Sequence, residues 1–269
     1  MKQTSCYLAF LLLAACGGPS KEEKAAAADN PAKTIETPDA QAVHLPQPYA
    51  TKSVTNRVHI QKWPEGKTPV VPAGFTVTEY ARDLDSPRWM YVLPNGDVLV
   101  AEANTVPTTT VKQAAVALKL DPSKAARGTS ADRITLFRDT NKDGKPDVRE
   151  TFLAHLDQPL GMLAIGNKFY VANTDGVMVF PYEPGATKIT GQGKQILDLP
   201  RGGYNNHWTR NLLASPDNSK IYVTVGSGSN VMEHGATNEV RRANILQINP
   251  DGTGEKVYAS GLRNPVGID

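Results

Sequence analysis

A chain of 269 residues is long enough to bury a substantial core, and its 29 basic and 27 acidic residues leave a formal charge of only +2. The basic residues are scattered, with no basic run or recognition motif, which excludes a nucleic-acid-binding surface. Both cysteines, Cys6 and Cys16, lie in the first sixteen residues, so the remainder has no thiol for a disulfide, a thiolate metal site or a nucleophile.

Those first residues form a targeting segment. Lys2 supplies a positive start, and Tyr7 to Ala15 is an apolar stretch too short to span a bilayer. It ends in Leu13-Ala14-Ala15-Cys16-Gly17, which resembles the bacterial lipobox. Residues 1–15 are then a signal peptide, and Cys16 is the lipidated first residue of an exported protein. The expectation is a bacterial periplasmic location with membrane attachment through the lipid alone, and Gly17 points to the outer membrane. The alternative is an ordinary secretory signal with a chance cysteine.

Residues 16–68 are charged, spaced by Pro19, Pro31, Pro38, Pro46, Pro48 and Pro64, and poor in large apolar side chains, so they cannot bury enough surface to fold alone. They read as a tether, with His44 and His59 solvated within it.

From residue 69 onward the apolar period is that of strands. Phe75 to Tyr80 alternates. Arg88 to Leu93 leads through a Pro94-Asn95-Gly96-Asp97 turn to Val98-Leu99-Val100-Ala101. The unit recurs at Gln158 to Ile165 with Lys168 to Asn173, at Leu212 to Pro216 with Ile221 to Gly226, and begins again at Arg263-Asn264-Pro265. Third and fourth strands follow at Arg133 to Arg138 with Val148 to Leu153, and at Asn244 to Asn249 with Lys256 to Ala259. Aligning the unit starts puts Pro87, Pro159, His207 and Pro265 in one column at intervals of 72, 48 and 58, about 59 on average, which suits four-stranded propeller blades with long connections. The expected fold is all-β: a β-propeller of which residues 69–269 supply about three blades and the start of a fourth. A β-sandwich is the rival, but it would show shorter, more even strand spacing.

In a propeller the first strand of each blade lines the channel, so the aligned positions meet at one mouth. They are Ser86, Gln158, Asn206 and Asn264, then Pro87, Pro159, His207 and Pro265, preceded by Asp85, Asp157, Asn205 and Arg263. Amides, one imidazole and one guanidinium suit a polar, anionic or carbonyl-rich ligand, with the imidazole free to take a proton near neutral pH. Alternatively, His207 only caps a strand.

Asp139-Thr140-Asn141-Lys142-Asp143-Gly144-Lys145-Pro146-Asp147 offers Asp139, Asn141, Asp143 and Asp147 as calcium ligands, with a glycine at the sharp turn. The flanks are strands, Pro146 takes a position that is normally apolar, and Glu150 falls on its strand. A polar hairpin turn is the other reading. Asn104 to Ala131 is an insertion with a possible helical piece from Val111 to Leu120. His155 and His234 have no identifiable partner. There is no Cys-x-x-Cys-His, no Gly-x-Gly-x-x-Gly after a strand and no Gly-x-Ser-x-Gly, which disfavours a c-type cytochrome, a nicotinamide enzyme and a serine hydrolase.

Gly203-Tyr204-Asn205-Asn206-His207-Trp208-Thr209-Arg210-Asn211-Leu212, Asp139 to Gly144 and Gly261-Leu262-Arg263-Asn264-Pro265-Val266-Gly267 together resemble the soluble PQQ-dependent sugar dehydrogenases, most of all their sorbosone dehydrogenase branch. The resemblance implies a six-bladed propeller with pyrroloquinoline quinone (PQQ) and Ca²⁺ on the axis. It implies oxidation of an aldose or related sugar aldehyde, with electrons passing to an external acceptor. By motif match His207 is the general base, Arg263 is a catalytic residue that stands beside the cofactor's carbonyl oxygen and stabilises the charge developing there, and Asn264 binds the cofactor. Gln158 and Asn206 are further cofactor contacts; Asn206 stands where the glucose-oxidising branch has an acid. The family's other cofactor contacts would lie beyond Asp269, so the chain is expected to be a fragment that is inactive alone. A calcium-dependent propeller lactonase and a non-enzymatic glycan- or protein-binding propeller are the competing readings.

Overall fold

The computed structural model describes residues 63–106, 110, 114, 118 and 130–269. The signal peptide, Cys16 and nearly all of the tether fall outside the described residues, as does most of the helical piece expected at 111–120. The chain divides at Val58, and the second unit, Val58–Asp269, carries all the structure below.

Among the described residues, twelve strands form three four-stranded antiparallel sheets, each a simple meander. The first contains β1 (Pro87–Val92), β2 (Val98–Glu102), β3 (Arg133–Arg138) and β4 (Val148–Leu153). The second contains β5 (Gly161–Ile165), β6 (Lys168–Ala172), β7 (Gly176–Pro181) and β8 (Lys194–Asp198). The third contains β9 (Leu212–Ala214), β10 (Ile221–Val225), β11 (Asn244–Ile248) and β12 (Lys256–Ser260). These are propeller blades, and among the described residues they form an arc that does not close. A single 3₁₀ turn, Ala236–Glu239, lies between β10 and β11.

The two-residue strand period sorts side chains between blades. In β6, Phe169 and Val171 join Leu99, Ile134, Leu136 and Phe152 of the first sheet in one core. The intervening Tyr170 and Ala172 join Ile221, Val223, Val225, Leu246 and Ile248 of the third sheet in the other. The middle blade is therefore apolar on both faces, and β6 is buried along all but its first residue. Turns follow from sequence: Gly166, at φ +57, opens the two-residue hairpin joining β5 to β6.

Phe75 to Tyr80 differs from its alternating pattern. Among the described residues it pairs with no strand, and Tyr80 packs edge-on to Phe137 with ring centroids 6.2 Å apart. The start of a fourth unit at Arg263 likewise carries no strand within the chain.

One backbone device recurs at each blade end. Asp132, Asp175 and Ala243, each immediately before a third strand, accept from the amides of Leu156, Leu199 and Leu262 respectively. This aligns Gln158 with Asn264, as the sequence columns do. In the middle copy, however, it puts Arg201 in that position, not Asn206. β5 starts five residues after Leu156, whereas β9 starts thirteen after Leu199. The junction that carries His207 is thus the long one, and His207 sits in its added length.

Candidate active site

The long junction is anchored from below by Arg210, the bulkiest wholly enclosed side chain at 1 % exposure. Its Nη1 donates to the carbonyls of His207 (2.8 Å) and Thr209 (3.1 Å), and its Nη2 to the carbonyl of Pro200 (2.9 Å) and to Asn205 Oδ1 (3.2 Å). Asn205 Oδ1 also accepts from Arg242 Nη1 at 2.7 Å, and Asn205 Nδ2 donates to Thr174 Oγ1 at 3.0 Å. Burial, reinforced by the charge of Arg242, pushes the Arg210 guanidinium down to about 9. Burial likewise lowers Arg242, against the opposing charge of Glu239.

His207 is half-buried, and its Nδ1 lies 2.8 Å from the carbonyl oxygen of Ser227. A carbonyl only accepts, so Nδ1 carries the proton and Nε2 presents its lone pair. The Ser227 amide in turn donates to the Arg263 carbonyl at 2.8 Å, so the Arg263-Asn264 segment and the His207 ring are held by one residue. Gly226, just past β10, makes this approach possible. A Cβ there would stand 2.6 Å from His207 Cβ and 2.7 Å from Asn264 Oδ1. Asn264 Oδ1 is buried without a hydrogen-bond partner in the protein. Asn211 Nδ2, donating to the Val266 carbonyl at 2.8 Å, ties the same segment to the base of β9.

The expected site residues are therefore only partly assembled. His207 and Asn264 meet across Gly226. The Arg263 side chain is exposed, with Nε and Nη2 donating to the carbonyl (2.9 Å) and Oδ1 (2.7 Å) of Asn230, while Nη1 has no protein partner among the described residues. Gln158, with a left-handed backbone at φ +49, donates from Nε2 to the Asn104 carbonyl at 2.7 Å. The next residue, Thr105, accepts from the Trp208 indole at 3.1 Å, so Gln158 and the His207 loop meet on the segment that leaves β2. Arg88 lies over the Trp208 ring at 4.9 Å. Asn206 is exposed, fixed through its amide to the Gly228 carbonyl at 3.1 Å.

The Asp139 loop is separate from this mouth. Its oxygens close on their own turn: Gly144 N donates to Asp139 Oδ2 (2.8 Å), Lys145 N to Asp143 Oδ1 (2.9 Å), Asp143 N to Asn141 Oδ1 (3.1 Å), and Thr140 Oγ1 to Asp147 Oδ2 (2.5 Å). These are the side-chain-to-backbone turns that Asp and Asn make without metal. Among the described residues no group of three or more His, Cys, Asp or Glu is arranged to hold a metal ion.

Sequence reasoning passed over Gly226, Ser227, Arg210 and Arg242. Gly226 carried a visible signal, a glycine directly after a β-branched strand, where close backbone approach is the usual cause. A buried arginine carries no such signal.

A family model described as TrAA12-like matches residues 69–269. Among solved structures, the holo form of the pyranose dehydrogenase PQQ domain from Coprinopsis cinerea aligns at 17 % identity and TM-score 0.51, covering 71 % of this chain and 42 % of that one. An iodide structure of a Trichoderma reesei carbohydrate-active enzyme of family AA12 aligns at 18 % identity and TM-score 0.53, covering 74 % and 46 %. The calcium structure of the same kind aligns at 16 % and 0.50, covering 70 % and 43 %. The chain thus spans less than half the length of these structures, and at such identity they share its fold. No curated protein matches.

Proposed function

The chain belongs to the TrAA12-like family, and on that premise we propose that it serves PQQ-dependent oxidation of an aldose or related sugar aldehyde, sorbosone-like in class, with His207 as the general base. The observation that carries this reading is the His207 Nδ1 to Ser227 carbonyl contact, which leaves Nε2 unengaged, on a side chain whose Cβ meets the buried, unpartnered Asn264 oxygen across Gly226. An imidazole fixed in one tautomer can accept a hydroxyl proton as the carbon is oxidised.

The residues at the mouth fit an anionic quinone: a guanidinium with Nη1 open, the Asn264 and Gln158 amides, and an imidazole. Arg263, Asn264 and Gln158 would hold PQQ, and Asn206 would stand at the rim. When bound, PQQ would supply the two-electron acceptor, and an external acceptor would reoxidise it. Ca²⁺ is proposed as the accompanying ion. At Asp139, Asn141, Asp143 and Asp147 it would have to displace the in-loop bonds described above, so its place with the cofactor is preferred. The setting we propose is the bacterial periplasm, with Cys16 lipidated and attached to the outer membrane.

The test is a dye-linked oxidation assay over a panel of aldoses and sugar aldehydes, with and without PQQ and Ca²⁺, on the full-length counterpart of this chain. Activity should require both additions and fall by about 10²-fold or more in His207→Ala. Oxidation undiminished in that variant, or independent of PQQ, overturns the proposal, and hydrolysis of a sugar lactone would move the assignment to a lactonase.

A further inference from the structure

We propose that Arg210 is the positioning residue of His207: from its buried site it fixes the loop that keeps the His207 ring in the Nδ1–H tautomer, with Nε2 presented outward. The inference rests on the reading of His207 as the base.

Every acceptor of Arg210 is a neutral oxygen, and three of the four are backbone carbonyls of the junction. Pro200 lies at the start of that junction, and His207 and Thr209 near its end, so one guanidinium clasps both ends of a ten-residue excursion. A planar fork with five donors can do this, whereas a single ammonium or an apolar chain cannot. Burying a charge with no carboxylate on it is costly, and an apolar side chain of similar volume would fill the same space without that cost. Packing therefore does not account for arginine here, but holding carbonyls in set directions does.

The clasp also acts on the ring through a short path. The His207 carbonyl that Arg210 binds lies 2.9 Å from the position of a Cβ on Gly226, and the next residue, Ser227, supplies the oxygen that holds Nδ1. If the His207 peptide turns, the ring loses its line to Ser227 and the tautomer is no longer fixed. Arg242 and Asn205 brace the middle of the excursion. Arg242 reaches the Gly202 carbonyl at 3.3 Å and shares Asn205 Oδ1 with Arg210.

The experiment is long-range ¹H–¹⁵N NMR of the histidine rings in the 269-residue chain without cofactor, comparing wild type with Arg210→Met. Wild-type His207 should show a single Nδ1–H tautomer. In the variant it should average between tautomers well below the unfolding temperature, with His155 unchanged. A folded variant whose His207 keeps the single tautomer overturns the proposal, because a role confined to stability would lower the melting temperature and leave the ring alone. Should Arg210→Met fail to fold, the wild-type guanidinium decides: separate, slowly exchanging Nη resonances are expected, and one averaged signal overturns the clasp. In the active holoenzyme the same variant should lower kcat about tenfold or more with KM held within about twofold, as loss of a group acting on the base requires. A defect confined to KM counts against it. Unimpaired turnover by His207→Ala would sink the functional reading while leaving the tautomer result standing.

Discussion

Gly226 shows how little space the site allows. Its missing side chain lets His207 and Asn264 come together, and a methyl group there would stand 2.6 Å from His207 Cβ, closer than real Cβ atoms approach. Gly226→Ala should therefore leave the three sheets folded, with an unchanged far-UV spectrum, while weakening PQQ binding and PQQ-dependent oxidation by about tenfold or more, in keeping with the sensitivity of catalysis to displacements of about 1 Å. Titration of PQQ by absorbance, beside turnover, checks both. At this scale the sequence pointed to candidates for the chemistry and not to their supports. His207, Arg263 and Asn264 stood out as candidates because imidazole, guanidinium and amide in a motif signal function. Gly226 and Arg210 act through space, by being small or by being buried, and neither property is written in residue type.

The strands of the first sheet are joined at one end by a carboxylate. Glu102, the last residue of β2, is 0 % exposed and accepts from Arg133 Nε (2.9 Å) and Nη2 (3.0 Å) at the start of β3, from Thr135 Oγ1 (2.5 Å), and from the Asp85 amide ahead of β1. Burial alone would raise this carboxyl, but the bonds from Arg133 and Thr135 outweigh it and hold the group below its ordinary 4.5. A depressed folded pKa stabilises the protein above the unfolded value and ceases to do so as pH falls through the folded value. Glu102→Gln should cost about 2 kcal/mol at pH 7 by denaturant unfolding, because Arg133 exchanges a buried carboxylate for a neutral amide while keeping its pair with Asp85. The difference from wild type should shrink below pH about 4.5. Strand positions themselves were readable from alternation and turn residues: β2, β3, β4, β6 and β10 lie where the pattern put them. Phe75 to Tyr80 alternates equally well and forms no strand, since period alone does not supply a neighbouring strand to pair with.

Across the whole molecule, the middle sheet is covered on both faces and the first is not. Trp89 and Tyr91 of β1 pack against the core shared with the second sheet, whereas Met90 and Val92 point away and are 68 % and 62 % exposed. Met90 borders a groove of about 710 Å³ that is also lined by Tyr80, Pro87, Val98, Val100 and Phe137. An apolar face of this kind in a folded protein takes up apolar dyes. The native chain should therefore enhance the fluorescence of such a dye, and Met90→Lys should reduce that signal by about half or more without lowering stability. A rise in signal only on unfolding would contradict this. The repeat, the blade count and the fold class were all legible in the sequence. The true register of the third junction was not, because an alignment on residue type treats His207 as the counterpart of Pro159, when the backbone bond from Leu199 to Asp175 shows that residues have been added between them.

That added length has a meaning for descent. A repeated unit normally resists change, because each copy packs against the next and alterations are felt across the array. Here the candidate base stands in one lengthened connector, which Arg210 and Asn205 secure together with Arg242, without borrowing a strand from any blade. Such a segment can vary while the blades go on folding as before. A repeated module can in this way take up a reactive group at one junction, while the counterparts at other junctions supply the contacts around it.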